Sequence, residues 1–445
     1  MSLWASLFEK LADRLGWELQ EKNCRTDEYG DVGKSFNLTA SIANRVATLT
    51  MMDSGASISG DSARAKFLAE FLQEYLDETM SVAAEVALGT GDALVKPWTD
   101  GKRLGVDIVS NEDFRVCGSI GNHIKSILIR CDEMDVGNST YTRFEGQRLS
   151  EVEGIPTLFI EQFVYKNEEE LTDKAQWPAA WQELNQVEYI PNVDQLLLGR
   201  YKCPTVNRQD VNSENGVKIT YGLDKVMQKA AESYERFNSE MEKKETMLFV
   251  DRTLFKKDEN GQRTLPVGKH KLFQQVSAKD KESKELVHEY SPDMRTEQLE
   301  AGMEVNFRML ELMAGLSHGI LTKPTTNFAT ATEIKNSLQL TFAFMTNFRK
   351  RLVKGTTALL RAVDILCNVN NITPMGNWDV QFDWSSSYVE CLEEQFNRLV
   401  QAEAIDAVEP AEVRAYVMDE DLETASQRVE EIKSKAKEVN DDGVQ

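Results

Sequence analysis

The chain has 445 residues, which at roughly 100–200 residues per domain predicts two to four structural units. Hydrophobic residues make up 41% and aromatic residues 8%, enough for sizeable cores and too many for a disordered chain. Lys and Arg number 51 against 73 Asp and Glu, a net charge of −22, which excludes a protein that clamps nucleic acid or an anionic membrane through a broadly basic surface.

Residues 1–20 read as an amphipathic helix. Their start lacks a basic region followed by an apolar run, so no secretory signal is expected. No stretch approaches ~20 consecutive apolar residues, so no transmembrane helix is expected either. Residues 37–52 form a second helix, with Leu38, Ile42, Val46 and Leu49 on one face. A third opens after Asp61-Ser62 and runs to about 88, through Phe67, Phe71, Tyr75 and Leu76 to an alanine-rich end. A β-rich block follows. Residues 93–98 and 104–109 flank Thr99-Asp100-Gly101-Lys102, a hairpin signal. Residues 126–130, 140–144 and 158–163 read as further strands. Together these predict an antiparallel sheet with helices packed to one side, an α+β arrangement. Residues 166–220 carry little pattern.

From Leu223 to about Glu245 the spacing of Val226, Ala230, Tyr234, Phe237 and Met241 is helical. Residues 247–290 switch to β character, with runs at 247–250 and 271–276 and an Asn260-Gly261 pair that suits a type I′ turn. A helix over 293–315 carries Leu299, Met303, Leu310 and Met313, with Asp293 as its N-cap. Residues 316–330 break it. A long helix over 331–367 follows and contains the basic run Arg349, Lys350, Arg351 and Lys354. A strand at 378–384 leads into a helical tail, 386–445, with 16 acidic and 6 basic residues, so −10 of the total −22.

Catalytic motifs are weak throughout. Six cysteines are scattered without a CxxC pair, as suits reduced thiols. Four histidines have no helical metal spacing, so neither a metal nor a cofactor is expected. Gly30-Asp31-Val32-Gly33-Lys34-Ser35 ends like a phosphate-binding loop, but Glu28 stands where the first glycine belongs and no apolar strand precedes it. Asp258 to Gln262 resembles a calcium loop, yet Lys269 would occupy the position of the bidentate acid.

Two ordered sets of motifs resemble the portal proteins of tailed bacteriophages. Residues 87–98 (ALGTGDALVKPW), Asp100-Gly101-Lys102 and residues 106–114 (VDIVSNEDF) are similar to the family's wing segment. Ala314-Gly315-Leu316-Ser317-His318-Gly319, followed by Thr330-Ala331-Thr332-Glu333-Ile334, is similar to its tunnel-loop segment. The resemblance spans roughly residues 37–385. Residues 166–215 match no segment of the family, and the tail is short for a large crown.

The resemblance implies a portal-like α+β architecture. The wing would be 1–222 with 368–385, the stem helices 223–246 and 293–315, and the clip 247–292. The tunnel loop would be 316–330, the long wing helix 331–367 and the helical crown 386–445. It implies a dodecameric ring at one capsid vertex of the virion, assembled in the host cytoplasm among capsid and scaffolding proteins. The ring would be a conduit for double-stranded DNA during packaging and ejection, without catalysis of its own. Thr322, Lys323, Thr325, Thr326 and Asn327 would offer weak phosphate contacts in the channel. Arg349, Lys350, Arg351 and Lys354 would be channel or intersubunit contacts, or simply a solvated face. Lys256, Lys257, Asn260, Gly261 and Arg263 would lie in the clip, where the terminase large subunit and then the head–tail adaptor dock. An acidic wall suits a conduit, because it repels phosphates and leaves a duplex free to slide. Two other classes stay open: a nucleotide-dependent enzyme built on Gly33-Lys34-Ser35, and an acidic α+β scaffold or adaptor whose tail binds basic partners.

Overall fold

Local capping starts the helices where the sequence places them. In a computed structural model of the chain, the Asn37 side chain accepts the Ala40 N–H at 2.8 Å and opens α2 (Leu38–Met51). The Ser62 hydroxyl accepts the Ala65 N–H at 3.0 Å and opens α3 (Ala63–Glu74). The structure describes residues 3–17, 37–243 apart from 53, 100, 102, 122 and 212, then 247–251, 273–276, 287–290, 296–322, 331–384, 409–418 and 424–429. The protein is of the α+β class.

The N-terminal helix is α1 (Leu3–Leu15). The helix expected over 61–88 is interrupted. A π turn over Tyr75–Thr79 separates α3 from α4 (Met80–Thr90). The wider turn shifts the helical phase, and it lets both Tyr75 and the later set Met80, Ala83, Ala84 and Ala87 reach the core. Tyr75 there shares a hydroxyl contact of 2.7 Å with Tyr201, which in turn meets Thr356 at 2.6 Å. Burial pushes the Tyr201 phenol up to about 12.

Strand β1 (Ser54–Ser59), which the sequence reading left unassigned, lies between α2 and α3. Strands β2 (Asp92–Thr99) and β3 (Leu104–Ser110) form the expected hairpin, with Thr99 opposite Leu104 and Ala93 opposite Ser110. They do not join the later strands. Instead β2 pairs on its other side with β10 (Gly199–Lys202), making a three-stranded sheet. A separate six-stranded antiparallel sheet holds β4 (Phe114–Ile120), β5 (His123–Val136), β6 (Ser139–Val152), β7 (Ile155–Lys166), β8 (Glu169–Glu170) and β9 (Val187–Pro191).

The expectation of one sheet with helices on one side is therefore corrected. The large sheet is covered on both faces. Successive side chains of a strand point to opposite faces. Leu128 of β5 packs with Leu7, Phe8 and Leu11 of α1, while its neighbours Ile127 and Ile129 pack with Leu196, Leu197 and Ala362 on the other face. Residues 166–220 carry little periodicity because they are short pieces between these layers. Two 3-10 turns, for example, bury Trp177 and Trp181 against Val164.

The second half is mostly helical. Helix α5 (Asp224–Lys243) packs against α6 (Thr296–Met313). Between them lies a small sheet of β11 (Met247–Asp251), β12 (Phe273–Val276) and β13 (Val287–Tyr290). Here β11 runs parallel to β12 and antiparallel to β13. The two runs flanking Asn260-Gly261 are thus not the arms of one hairpin, since parallel strands need a crossover. The turn itself lies outside the described residues.

Helix α7 (Ala331–Val369) has 39 residues and realises the long helix expected over 331–367. It crosses β10 at Gly355 and Gly199. A Cβ on Gly355 would sit 2.5 Å from the Arg200 carbonyl oxygen, so only glycine allows the two backbones to approach. Strand β14 (Asp379–Trp384) returns to pair antiparallel with β1. In the expected helical tail the described residues include α8 (Pro410–Met418).

Candidate functional site

Helix α6 ends on Gly315, whose φ of 74° is a left-handed value that glycine tolerates best. Gly315 N–H donates to the Leu312 carbonyl at 3.2 Å, and Leu316 N–H donates to the Glu311 carbonyl at 2.9 Å. This is a Schellman cap, and it satisfies carbonyls that would otherwise be orphaned at a helix end. It turns the chain sharply into the segment 316–330, and Leu316 and Ser317 are buried beneath that turn.

The base of this segment is held by one carboxylate. The side chain of Glu311 is 1% exposed. Its Oε1 accepts the N–H of Leu321 at 2.6 Å and that of Thr322 at 3.0 Å. The Thr322 hydroxyl approaches Glu311 Oε2 at 3.1 Å, and His318 Nδ1 lies 3.2 Å from the same oxygen. Thr322 Oγ1 and His318 Nδ1 are themselves 2.8 Å apart. On the other side Ser317 and Thr341 of α7 exchange bonds: Ser317 N–H donates to Thr341 Oγ1 at 2.8 Å, and Thr341 N–H donates to Ser317 Oγ at 3.2 Å. A buried carboxylate is stable only when it is hydrogen-bonded. The Glu311 contacts meet that need and hold the backbone at Leu321 and Thr322.

Of the five predicted loop residues, Thr322 is the one described. Its hydroxyl is committed inward, to Glu311 and His318, so it belongs to the base of the loop rather than to a set of outward phosphate contacts. Lys323, Thr325, Thr326 and Asn327 lie outside the described residues. So do the clip residues Lys256, Lys257, Asn260, Gly261 and Arg263, the calcium-like run at Asp258, and Gly33-Lys34-Ser35.

The basic run on α7 divides. Arg349 donates to the Thr50 carbonyl at 3.1 Å and stacks 5.1 Å above the Trp384 ring, tying α2 and β14 to α7. Arg351 donates to the Cys203 carbonyl at 2.8 Å. Lys350 and Lys354, four residues apart on one face, are exposed. Two of the four cations are therefore tied to backbone carbonyls and two face out.

Three buried groups escaped the sequence reading. Besides Glu311, Arg64 of α3 is fully buried and directs all five N–H donors at α7 and the residues after it: the Asp364 carboxylate and carbonyl, Asn368, and the hydroxyl and carbonyl of Thr373. Lys96 of β2 donates to Glu145 of β6 at 2.7 Å between the two sheets. Burial opposes the Glu145 carboxylate, but Lys96, with Gln147 and Gln162 donating at 2.8 and 3.0 Å, outweighs it and holds the carboxyl at about 2. Burial likewise opposes the Lys96 ammonium, and Glu145 overcomes it, holding Lys96 above the usual lysine range.

Among the described residues no cluster of three or more His, Cys, Asp or Glu side chains could hold a metal ion. Nor is any described helix long and apolar enough to cross a membrane. No protein-family model matches the chain, and no curated protein sequence matches it.

Proposed function

We propose that the chain is the repeating subunit of a portal ring at one capsid vertex of a virion, a DNA conduit that docks a terminase and later a head–tail adaptor. What carries the reading is the order of parts around the site: helix α5, the small sheet β11–β13, helix α6, a Schellman-capped turn, and the 39-residue helix α7. In the sequence this order coincides with the two motif sets that resemble the portal family. In this reading α5 and α6 are the stem, β11–β13 belong to the clip, and 316–330 reaches the channel from a base anchored by Glu311.

The surface of α6 supports assembly. Val305, Met309, Leu312 and Met313 lie at helical spacing and are 60%, 48%, 62% and 50% exposed in the single chain. An apolar stripe of this kind marks an interaction face. In a ring of identical subunits its occupant is the neighbouring copy. Negative-stain microscopy of the purified chain across a range of salt concentrations tests the reading. Rings with a central channel are expected, and monomers or dimers at every salt concentration would overturn it.

A further inference from the structure

A second feature stands apart from the loop and the stem. Where α7 passes the end of β5 and the strand β10, the surface forms a recess of about 470 Å³, within the ~300–1,000 Å³ range of ligand sites. In a chain of net charge −22, this recess has the opposite sign. Five of its lining side chains are cationic (Lys125, Arg200, Lys202, Arg351 and Lys354) and two, Asp194 and Glu214, are acidic.

The neutralising contacts are unevenly spread. Arg200 is held by the fully buried Asp92, at 2.7 Å, with Glu214 4.0 Å away. Lys202 donates to the Glu214 carbonyl at 2.7 Å, and Arg351 donates to the Cys203 carbonyl at 2.8 Å, so neither of these bonds involves a carboxylate. Among the described residues Lys125 and Lys354 have no hydrogen-bond or ion-pair partner. Four cations from three separate elements (β5, β10 and α7) therefore converge on one concavity with donors to spare.

We propose that this recess binds a phosphate-rich ligand, with Lys125, Lys202, Arg351 and Lys354 as its donors. Convergence from three elements suits a tetrahedral, multiply charged phosphate better than a planar carboxylate, which one guanidinium fork satisfies. Burial, and then the neighbouring Arg200, lower the pKa of Lys202; a bound anion would relieve that crowding. None of the residues that anchor the tunnel-loop base lines the recess.

Titration calorimetry of the full chain with sodium tripolyphosphate, in phosphate-free buffer, tests it. Saturable binding is expected, weakened about tenfold or more in Lys125→Ala/Lys354→Ala and unchanged in Lys66→Ala, an exposed lysine on α3. Lys202→Gln gives an independent reading should the double variant fold poorly, and it should weaken binding as well. Tripolyphosphate that does not saturate, or that binds the recess variants as tightly as the wild type, overturns the site. Citrate that competes as well as tripolyphosphate overturns the phosphate assignment. Competition by short duplex DNA distinguishes the source: displacement assigns the ligand to a nucleic-acid backbone, and no displacement assigns it to a free phosphate compound.

Discussion

Glu311 reaches past the end of its own helix to accept the backbone N–H of Leu321 at 2.6 Å, ten residues further along the chain. One buried carboxylate thereby sets the exit of the segment that the portal resemblance assigns to the channel.

Replacing Glu311 with alanine removes Oε1, the one oxygen that accepts both the Leu321 and the Thr322 N–H. Because the Leu321 and Thr322 amides would then lack full partners, the cost should be about 1–3 kcal/mol in urea unfolding. Hydrogen exchange at those two amides should accelerate while α7 stays protected. Exchange at wild-type rates would show that Glu311 does not hold the loop.

The Lys96–Glu145 pair lends itself to a double-mutant cycle. Lys96→Met or Glu145→Gln alone should cost about 3–5 kcal/mol, because each strands a buried charge or its partners, whereas Lys96→Met with Glu145→Leu should recover most of the loss. The pair also makes a pH prediction. The Glu145 carboxyl is depressed from 4.5 to about 2 in the folded state. Its contribution is therefore fully present above pH 4.5 and is lost as the pH falls through about 2. An acid titration of the double variant should lack that component.

Close backbone contact predicts the effect of a single methyl group. Gly355→Ala would drive its Cβ to 2.5 Å from both the Arg200 carbonyl oxygen and the Tyr201 ring. The helix must then lift from β10, at about 1–3 kcal/mol, read as a lower denaturant midpoint. Tyr201 belongs to the hydroxyl chain with Tyr75 and Thr356, so its fluorescence should change as well.

Assembly should respond to both apolar contact and salt. Met309→Asp with Leu312→Asp changes an exposed stripe and should leave the far-UV circular dichroism intact while shifting rings to single subunits. Each wild-type copy carries −22, so raising ionic strength should favour rings by screening repulsion beyond roughly 8–10 Å. Ring yields that ignore salt would contradict the electrostatic half of this reading.

Lys323→Glu should assemble normally and package DNA poorly, because it replaces the cation of the proposed channel segment with a carboxylate. Deleting 256–268 should abolish terminase or adaptor docking while sparing the α5–α6 pair. Each outcome is read by an in vitro packaging or pull-down assay. Normal packaging by Lys323→Glu would remove that lysine from the channel, and retained docking would move the interface elsewhere.

What the sequence revealed was local. The Thr99–Lys102 signal located the β2–β3 hairpin, Ser62 and its neighbours marked a helix start, and a long apolar period marked α7. What it concealed was tertiary. The Ser54–Ser59 run, SGASIS, alternates too weakly to announce a strand, and its register comes from a partner more than 300 residues away. The π turn at Tyr75 brings its hydroxyl 2.7 Å from that of Tyr201, 126 positions away. Glu311 was hidden by abundance, since one acid among 73 carries no signal until its burial is known. The same holds for the basic run on α7. Its four cations look alike in sequence, and only the neighbouring carbonyls of Thr50 and Cys203 separate the two arginines bonded to the backbone from the two lysines that are not.

Strand β1 leaves the ribosome long before the residues it pairs with. Ser59 and Asp379 are 320 positions apart, which at roughly 5–20 residues per second is between a quarter of a minute and a minute of synthesis. For that interval a polar, glycine-containing edge waits unpaired, and its low hydrophobicity is what makes the wait safe, because an apolar edge exposed so long would template aggregation. Closure of β1 by β14 thus waits until all but the last 61 of the 445 residues have been made.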